Sequence, residues 1–261
     1  MFQKKKDEEK MQIINIKELT SSWKEKLKHD DIDRRIGIIG HANMPYVKGL
    51  VRDCAEIGIV GKVYDYDEDI NTIDYLKMVY GAETYNDYII LQTPLPPAVD
   101  AQEIKKHMNA SKDIDNFTGR SKLVANTPLG IIKYLDACNF DYCGADAVII
   151  GRSDVVGKPM AQMLLDKDCT VTICHSKTEY LAHYTELADL VVVAVGRPEW
   201  FDPELAKSAK MIIDVGINFK DGKIVGDVQK QYGSEANRIT PVPGGVGLLT
   251  RCALLEQVVN T

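Results

Sequence analysis

The residues best placed to do chemistry cluster around a glycine turn. The apolar run ADAVII (145–150) has the length of a buried strand and leads into GRSDVVG (151–157). Gly151 stands where the chain turns sharply, and Gly157 falls early in the helix that follows. Backbone N–H groups at such a helix start point outward at an anion, so this stretch can hold a phosphate. The glycine pattern is incomplete, because Ser153 occupies the place of the second glycine in GxGxxG. A glycine turn in an α/β domain also serves packing alone. The next strand, TVTICH (170–175), sharpens the choice. A carboxylate about 20 residues beyond the turn would take the ribose 2′-hydroxyl of NAD. Here the stretch is CHSKT (174–178), with no acid before Glu179. Ser176 and Lys177 stand there instead, with Arg152 on the turn. Cations and hydroxyl donors suit a 2′-phosphate, which a carboxylate would repel. The residues therefore favour NADP over NAD, held by Gly151, Arg152, Ser153, Gly157 and Ser176. Lys177 also reads as a solvated surface charge.

These groups need an α/β framework to carry them. RIGIIG (35–40), GKVYDYD (61–67) and DYIILQ (87–92) read as strands. Between them lie helical stretches over 46–57 and 70–82, with another over 101–110 and an amphipathic helix over 14–28 in front. The 46–57 helix opens with YVKGLVRDC, whose apolar side is Val47, Leu50, Val51 and Cys54. After the loop SKDIDNFTG (111–119) and the segment TPLGIIKYLDACNF the pattern restarts. Strands are expected over 145–150, 170–175, 190–195 and 211–218, with helices between them. Short apolar strands alternating with helices imply βαβ units and mostly parallel sheets. The fold class is α/β with two domains: a βα substrate domain over 12–120 and a Rossmann-like nucleotide domain over 121–245. A terminal helix through Val259 follows the loop ITPVPGGVGLLT (239–250), and residues 246–261 are expected to pack back on the first domain.

Composition narrows the classes further. A net charge of −6 argues against nucleic acid as a bulk electrostatic partner while permitting a local cationic pocket. The longest apolar runs, such as LVVVAV (190–195), are strand length and too short for a bilayer span. MFQKKKDEEK is charged rather than apolar, so residues 1–11 read as a frayed leader and not as a secretory signal. Six cysteines are scattered without a close CxxC pair, which suits buried reduced thiols in a cytoplasmic protein. No feature calls for a metal.

Several stretches taken together resemble the bifunctional methylenetetrahydrofolate dehydrogenase/cyclohydrolase family. YVKGLVRDCAEIGI, LQTPLPP, KDIDNF, NTPLGII, GRSDVVGKPM, TVTICHSKT, ADLVVVAVGRP, IIDVGIN, GDV and TPVPGGVG occur in that family's order, from about residue 12 to the end. The resemblance implies NADP in the second domain, with Ile217 added to its contacts, and a folate in a cleft between domains. Tyr46, Gln92, Asp115, Pro243, Gly244 and Gly245 would line the substrate side, Tyr46, Gln92 and Asp115 with catalytic roles. A homodimer is also implied. Asp115 matches the aspartate that holds the amino-pyrimidine edge of the pterin, a sensible job for a carboxylate accepting two N–H donors. Asp113 and Asp115 also read as an ordinary loop turn, which Asn116 would suit. Asn116 stands where the family has glycine, Thr93 where it has leucine, Leu248 where it has proline, and the loop before Tyr46 is shorter than its counterpart.

The largest departure is at Leu50. The family's catalytic lysine lies four residues after the tyrosine, on the same helix face. Lys48 points about 160° away from that position around an α-helix. Hydride transfer from 5,10-methylenetetrahydrofolate to NADP+ requires no side chain to take a proton, so positioning dominates. Hydrolysis of the methenyl product requires proton transfer, typically worth 10²–10⁴-fold. Leucine cannot supply it. The expectation is a dehydrogenase with weak or absent cyclohydrolase activity, unless Asp115 or His41 substitutes and both activities survive. A folate- or nucleotide-binding pseudoenzyme and an NADP oxidoreductase for another small substrate are the remaining readings.

Overall fold

The computed structural model describes residues 11–28, 32–230 and 238–261. The leader expected over 1–11 therefore lies, apart from Met11, outside the described residues. Contacts divide the chain into two units. One holds residues up to Leu19, Ile131–Arg152 and Met160–Val246; the other holds Thr20–Gly130, Ser153–Pro159 and Gly247–Thr261. The fold is α/β in both, with parallel sheets.

The Thr20–Gly130 unit is built on β1 (Arg35–Ile39), β2 (Val60–Tyr64) and β3 (Tyr88–Leu91), in the order β2-β1-β3. All pairs are parallel, with Ile38 of β1 opposite Val63 and Ile90. The chain also forms α1 (Ile16–Leu27), α2 (Pro45–Ile57), α3 (Thr72–Tyr85), α4 (Ala101–His107) and α5 (Asn126–Ala137). Helices α2 and α3 make the crossovers, because parallel strands need a long connection that returns to the same sheet end. Pro45 starts α2 where its missing N–H costs nothing. Gly58 ends it in the left-handed conformation with φ 90°, which glycine adopts without a Cβ penalty. One core of this unit joins Ile36, Ile38, Val47, Leu50, Cys54, Ile57 and Ile90 to Leu254, Leu255 and Val258 of α8 (Val246–Asn260). A second packs Ile39, Tyr75, Val79, Ile89 and Ile104.

The other unit carries β4 (Asp146–Ile150), β5 (Thr170–Cys174), β6 (Leu190–Val193) and β7 (Met211–Asp214), all parallel in the order β5-β4-β6-β7. Here α6 (Gly157–Leu165) follows β4, while only α7 (Leu181–Thr185) and a short 3-10 turn at Pro203–Ala206 separate the later strands. The strand expected over 211–218 stops at Asp214, whose carboxylate accepts from the amides of Gly216, Asp227 and Val228 and bends the chain. Beyond it, β8 (Asn218–Lys220) and β9 (Lys223–Val225) form an antiparallel hairpin that the sequence reading did not separate. Its turn is Asp221-Gly222, both at positive φ (51° and 72°), a pair that favours a tight hairpin.

Five of the six thiols are buried and free as expected; Cys143 is free but exposed. No helix among the described residues is long and apolar enough to cross a membrane. Among the same residues, no group of three or more His, Cys, Asp or Glu is arranged to hold a metal ion.

Candidate active site

The face of α2 starts with Tyr46, half-buried against the core that contains Leu50. Desolvation raises the pKa of its hydroxyl; the negative charge of Asp115 adds to this and the positive charge of Arg251 opposes it. Tyr46, Asp115 and Arg251 thus share one electrostatic neighbourhood. Leu50, one turn on, is 0 % exposed. Lys48 is exposed, on the opposite side of the helix. Val51, expected on the buried side, is only half-buried, and Asp53 is buried in its place.

Asp115 sits in the loop before α5. Its Oδ1 accepts from the backbone N–H (3.1 Å) and Nδ2 (2.8 Å) of Asn126. Among the described residues nothing donates to Oδ2. Desolvation pushes the carboxyl up to about 6, against the two Asn126 bonds and helped by the nearby charge of Asp113. The two loop aspartates divide the work. Asp113 is the turn former, accepting from the amides of Phe117 and Thr118. Asn116 has φ 51°, the left-handed region where glycine is easiest and asparagine tolerable, and its Oδ1 accepts from the Ser121 amide. The turn therefore survives without glycine at 116. Gln92 follows β3 and accepts at Oε1 from the His41 amide at 2.9 Å, which ties it to the loop that delivers α2.

In the other unit, a cavity of about 410 Å³ opens at the carboxyl ends of β4, β5 and β6. Gly151, Arg152 and Ser176 line it, joined by His175, Thr178, Arg197 and Trp200. Ligands in open α/β sheets bind at this end of the strands. Gly151 has φ 129°, and a Cβ there would run into the Ala194 carbonyl oxygen, so only glycine fits. The lining holds two arginines, two hydroxyls and an imidazole, and no carboxylate. Lys177 does not line it; its amide donates to His175 Nδ1 and its side chain is exposed. The second cation is Arg197, which the sequence reading did not name although the VGRP stretch ends the β6 segment.

The remaining expected residues stand elsewhere. Ser153 Oγ accepts from the amides of Val156 and Gly157 (3.2 and 3.3 Å), which caps α6 and accounts for serine where the glycine pattern breaks. Neither Ser153 nor Gly157 lines the cavity, nor does Ile217, which is 55 % exposed. Pro243, Gly244 and Gly245 precede α8. Gly244 has φ 97°, and a Cβ on Gly245 would meet the Pro241 carbonyl.

Two family models cover most of the chain. Residues 10–115 match the catalytic domain of tetrahydrofolate dehydrogenase/cyclohydrolase, and residues 125–261 match its NAD(P)-binding domain. The chain belongs to the tetrahydrofolate dehydrogenase/cyclohydrolase family. The bifunctional protein FolD of Enterococcus faecalis is 41% identical over 232 residues, covering 84% of this chain and 83% of its own. The crystal structure of the bifunctional enzyme FolD, methylenetetrahydrofolate dehydrogenase/cyclohydrolase, from Campylobacter jejuni superposes with a TM-score of 0.81 at 36% identity, covering 94% and 96% of the two chains. The FolD of Trypanosoma brucei, solved with NADP cofactor and an inhibitor, gives 0.83 at 25% identity, covering 95% and 96%.

Leu50 is part of the hydrophobic core of its unit. Beside it lies a pair that no short motif signals: Arg251 Nε donates to Asp53 Oδ2 at 2.6 Å across 198 positions of sequence. Burial works against the charge on Asp53, but Arg251 and Lys24 outweigh it and hold the carboxyl below the usual carboxylate range.

Proposed function

We propose that this protein is an NADP-dependent 5,10-methylenetetrahydrofolate dehydrogenase whose cyclohydrolase activity is weak or lost. Membership of the family supports the dehydrogenase, and the observation that carries the loss is Leu50. It is fully buried one turn after Tyr46, and it offers no proton. Asp115 anchors the amino edge of the pterin through its carboxylate, Tyr46 gives the ring an aromatic neighbour, and Gln92 orients a polar group. Pro243, Gly244 and Gly245 are assigned to the substrate side as well.

NADP suits the chemistry of the cavity: two arginines and two hydroxyls without a carboxylate match a 2′-phosphate. Arg152 and Ser176 are assigned to that phosphate, Gly151 to a close backbone approach, and Ser153, Gly157 and Ile217 to the rest of the nucleotide. When bound, NADP+ supplies the hydride acceptor. A homodimer and a cytoplasmic location belong to the same proposal, as do domains at 12–120 with 246–261 and 121–245. Equilibrium sedimentation tests the first of these and limited proteolysis the last.

A second reading rests on Asp115. A carboxyl held at about 6 is close to the pKa of an efficient general base at neutral pH. If Asp115 takes the proton from water, both family activities survive. One incubation with methylenetetrahydrofolate and NADP+ separates the readings, following NADPH, methenyl- and formyltetrahydrofolate individually. Methenyl product accumulating beside NADPH, with formyl product at the uncatalysed rate, upholds the split activity. Formyl product keeping pace with NADPH, on a pH profile with a midpoint near 6, upholds Asp115 as the base. Absence of NADPH retires the dehydrogenase.

A further inference from the structure

The buried side of α2 holds a charge network centred on Asp53. Asp53 is 2 % exposed and already has Lys24 at 3.1 Å and Arg52 at 3.4 Å. Lys24 also pairs with Glu56. Arg251, 7 % exposed, joins the same carboxylate from α8 through Nε alone. Arg52 is exposed, so the network near the core sets Lys24 and Arg251 against Asp53 and Glu56, and Arg251 spends only Nε on it, leaving its Nη groups for another partner. The backbone makes room for Arg251. A Cβ on Gly49 would stand 2.8 Å from Arg251 Cζ and 2.9 Å from Nη1, so the guanidinium fills the notch left by glycine. Gly49 is three residues after Tyr46, hence on its side of the helix, and immediately before Leu50. The Tyr46 hydroxyl feels the Arg251 charge as well as that of Asp115. A fixed cation thus stands where residue 50 brings none.

We infer that Arg251 is a folate-binding residue of this chain, whose Nη groups take the 4-oxo oxygen of the pterin while Asp115 takes the neighbouring N–H donors. The inference rests on the folate reading above. The chemistry is complementary: one ring edge offers donors and an acceptor side by side, and the protein offers a carboxylate and a guanidinium in one neighbourhood. Asp53 fixes the orientation of the fork by holding Nε. Arginine does not give up its proton, so this cation orients the substrate without supplying the proton transfer that Leu50 lacks.

The test compares wild type with Arg251→Met, Arg251→Lys and the double variant Asp53→Asn/Arg251→Met, which removes both members of the Asp53–Arg251 pair, leaves Lys24 with Glu56, and so keeps a folded protein available. Binding of 5-formyltetrahydrofolate and of NADP+ is measured by calorimetry, and NADPH formation by steady-state kinetics. The expected result is about a tenfold loss of folate affinity and a matching rise in KM in both Met variants. NADP+ affinity should stay within about twofold, and Lys should recover part of the loss. Wild-type folate affinity in the folded double variant overturns the inference. So does a parallel decline for both ligands with no difference between Lys and Met, which marks a merely structural pair. A wild type that binds the folate probe in an Arg251-dependent way yet forms no NADPH upholds the contact and overturns the reaction.

Discussion

Beside α2, Asp53 and Arg251 are buried and paired against a hydrophobic core, whereas at the ends of β4, β5 and β6 the polar groups stand around an open cavity. Asp53 and Arg251 have been taken out of water and sustain each other's charge, while Asp115 loses enough water that its carboxyl is pushed up to about 6 in spite of its bonds to Asn126. Arg152, Ser176 and Arg197 keep access to solvent, and the local precision comes from backbone, above all from Gly151 against Ala194. The difference follows from the ligands assigned to each. A flat ring with one polar edge is recognised by excluding water around a few fixed groups. A phosphate carries its own charge and needs cations that can reach it. Substitutions on α2 should therefore move stability and activity together, and those around the cavity should move activity nearly alone.

Leu50→Lys presses this contrast hardest. Methenyltetrahydrofolate hydrolysis should rise by about 10²–10⁴-fold, the range of a placed general base. The same change buries an ammonium in the apolar core and should cost about 3–5 kcal/mol, read as a lower urea midpoint. Folded protein with no gain in hydrolysis would count against the account of Leu50.

Asp115→Asn should lower kcat/KM for methylenetetrahydrofolate by about 100-fold, since a charge-assisted anchor is lost. It should also stabilise the free protein. The carboxyl is raised from 3.8 to about 6 in the folded state, so its contribution to stability is full below 3.8 and is lost as pH rises through 6. Above that pH the ionised wild type carries a cost of up to about 3 kcal/mol that asparagine avoids. Denaturant titrations should show the variant's advantage at pH 8 and little at pH 4. In wild type, KM for the folate should climb as pH falls below about 6.

Around the cavity, Arg152→Ala or Arg197→Ala should raise KM for NADP+ by about 10–100-fold and leave that for NAD+ nearly unchanged. Stability should move by no more than about 0.5 kcal/mol. An equal loss for both nucleotides would place the arginines away from the 2′-phosphate. The smallest effect is expected from Ser153→Ala, which removes the cap of α6 at a cost of about 1 kcal/mol by urea unfolding.

The cavity was the more legible of the two regions. Gly151, Arg152 and Ser176 were readable because a phosphate turn and the end of the next strand are short, local patterns. Arg197 and Trp200 both come from the loop after β6, and only the parallel pairing β4–β6 brings that loop alongside. On α2 the periodicity marked Val47, Leu50 and Cys54 as buried but put Val51 in the place that Asp53 takes. A carboxylate counts as polar in any pattern until its partner is known, and that partner is supplied by α8. The β8–β9 hairpin was missed despite the Asp221-Gly222 signal, because three-residue strands carry too little alternation to stand out.

By itself the sequence determined the alternation of strands and helices, the glycine turn after β4, the lack of an acid in CHSKT and the leucine at position 50. Each is written in neighbouring residues and obeys rules of period, turn geometry and charge that act over a few positions. Tertiary structure alone decided that Arg251 meets Asp53 at Gly49, that Asp115 loses enough water to titrate near 6, and that Arg197 rather than Lys177 faces the cavity. Desolvation and long-range pairing depend on which surfaces the packing brings together, and they are settled only when the chain closes on itself.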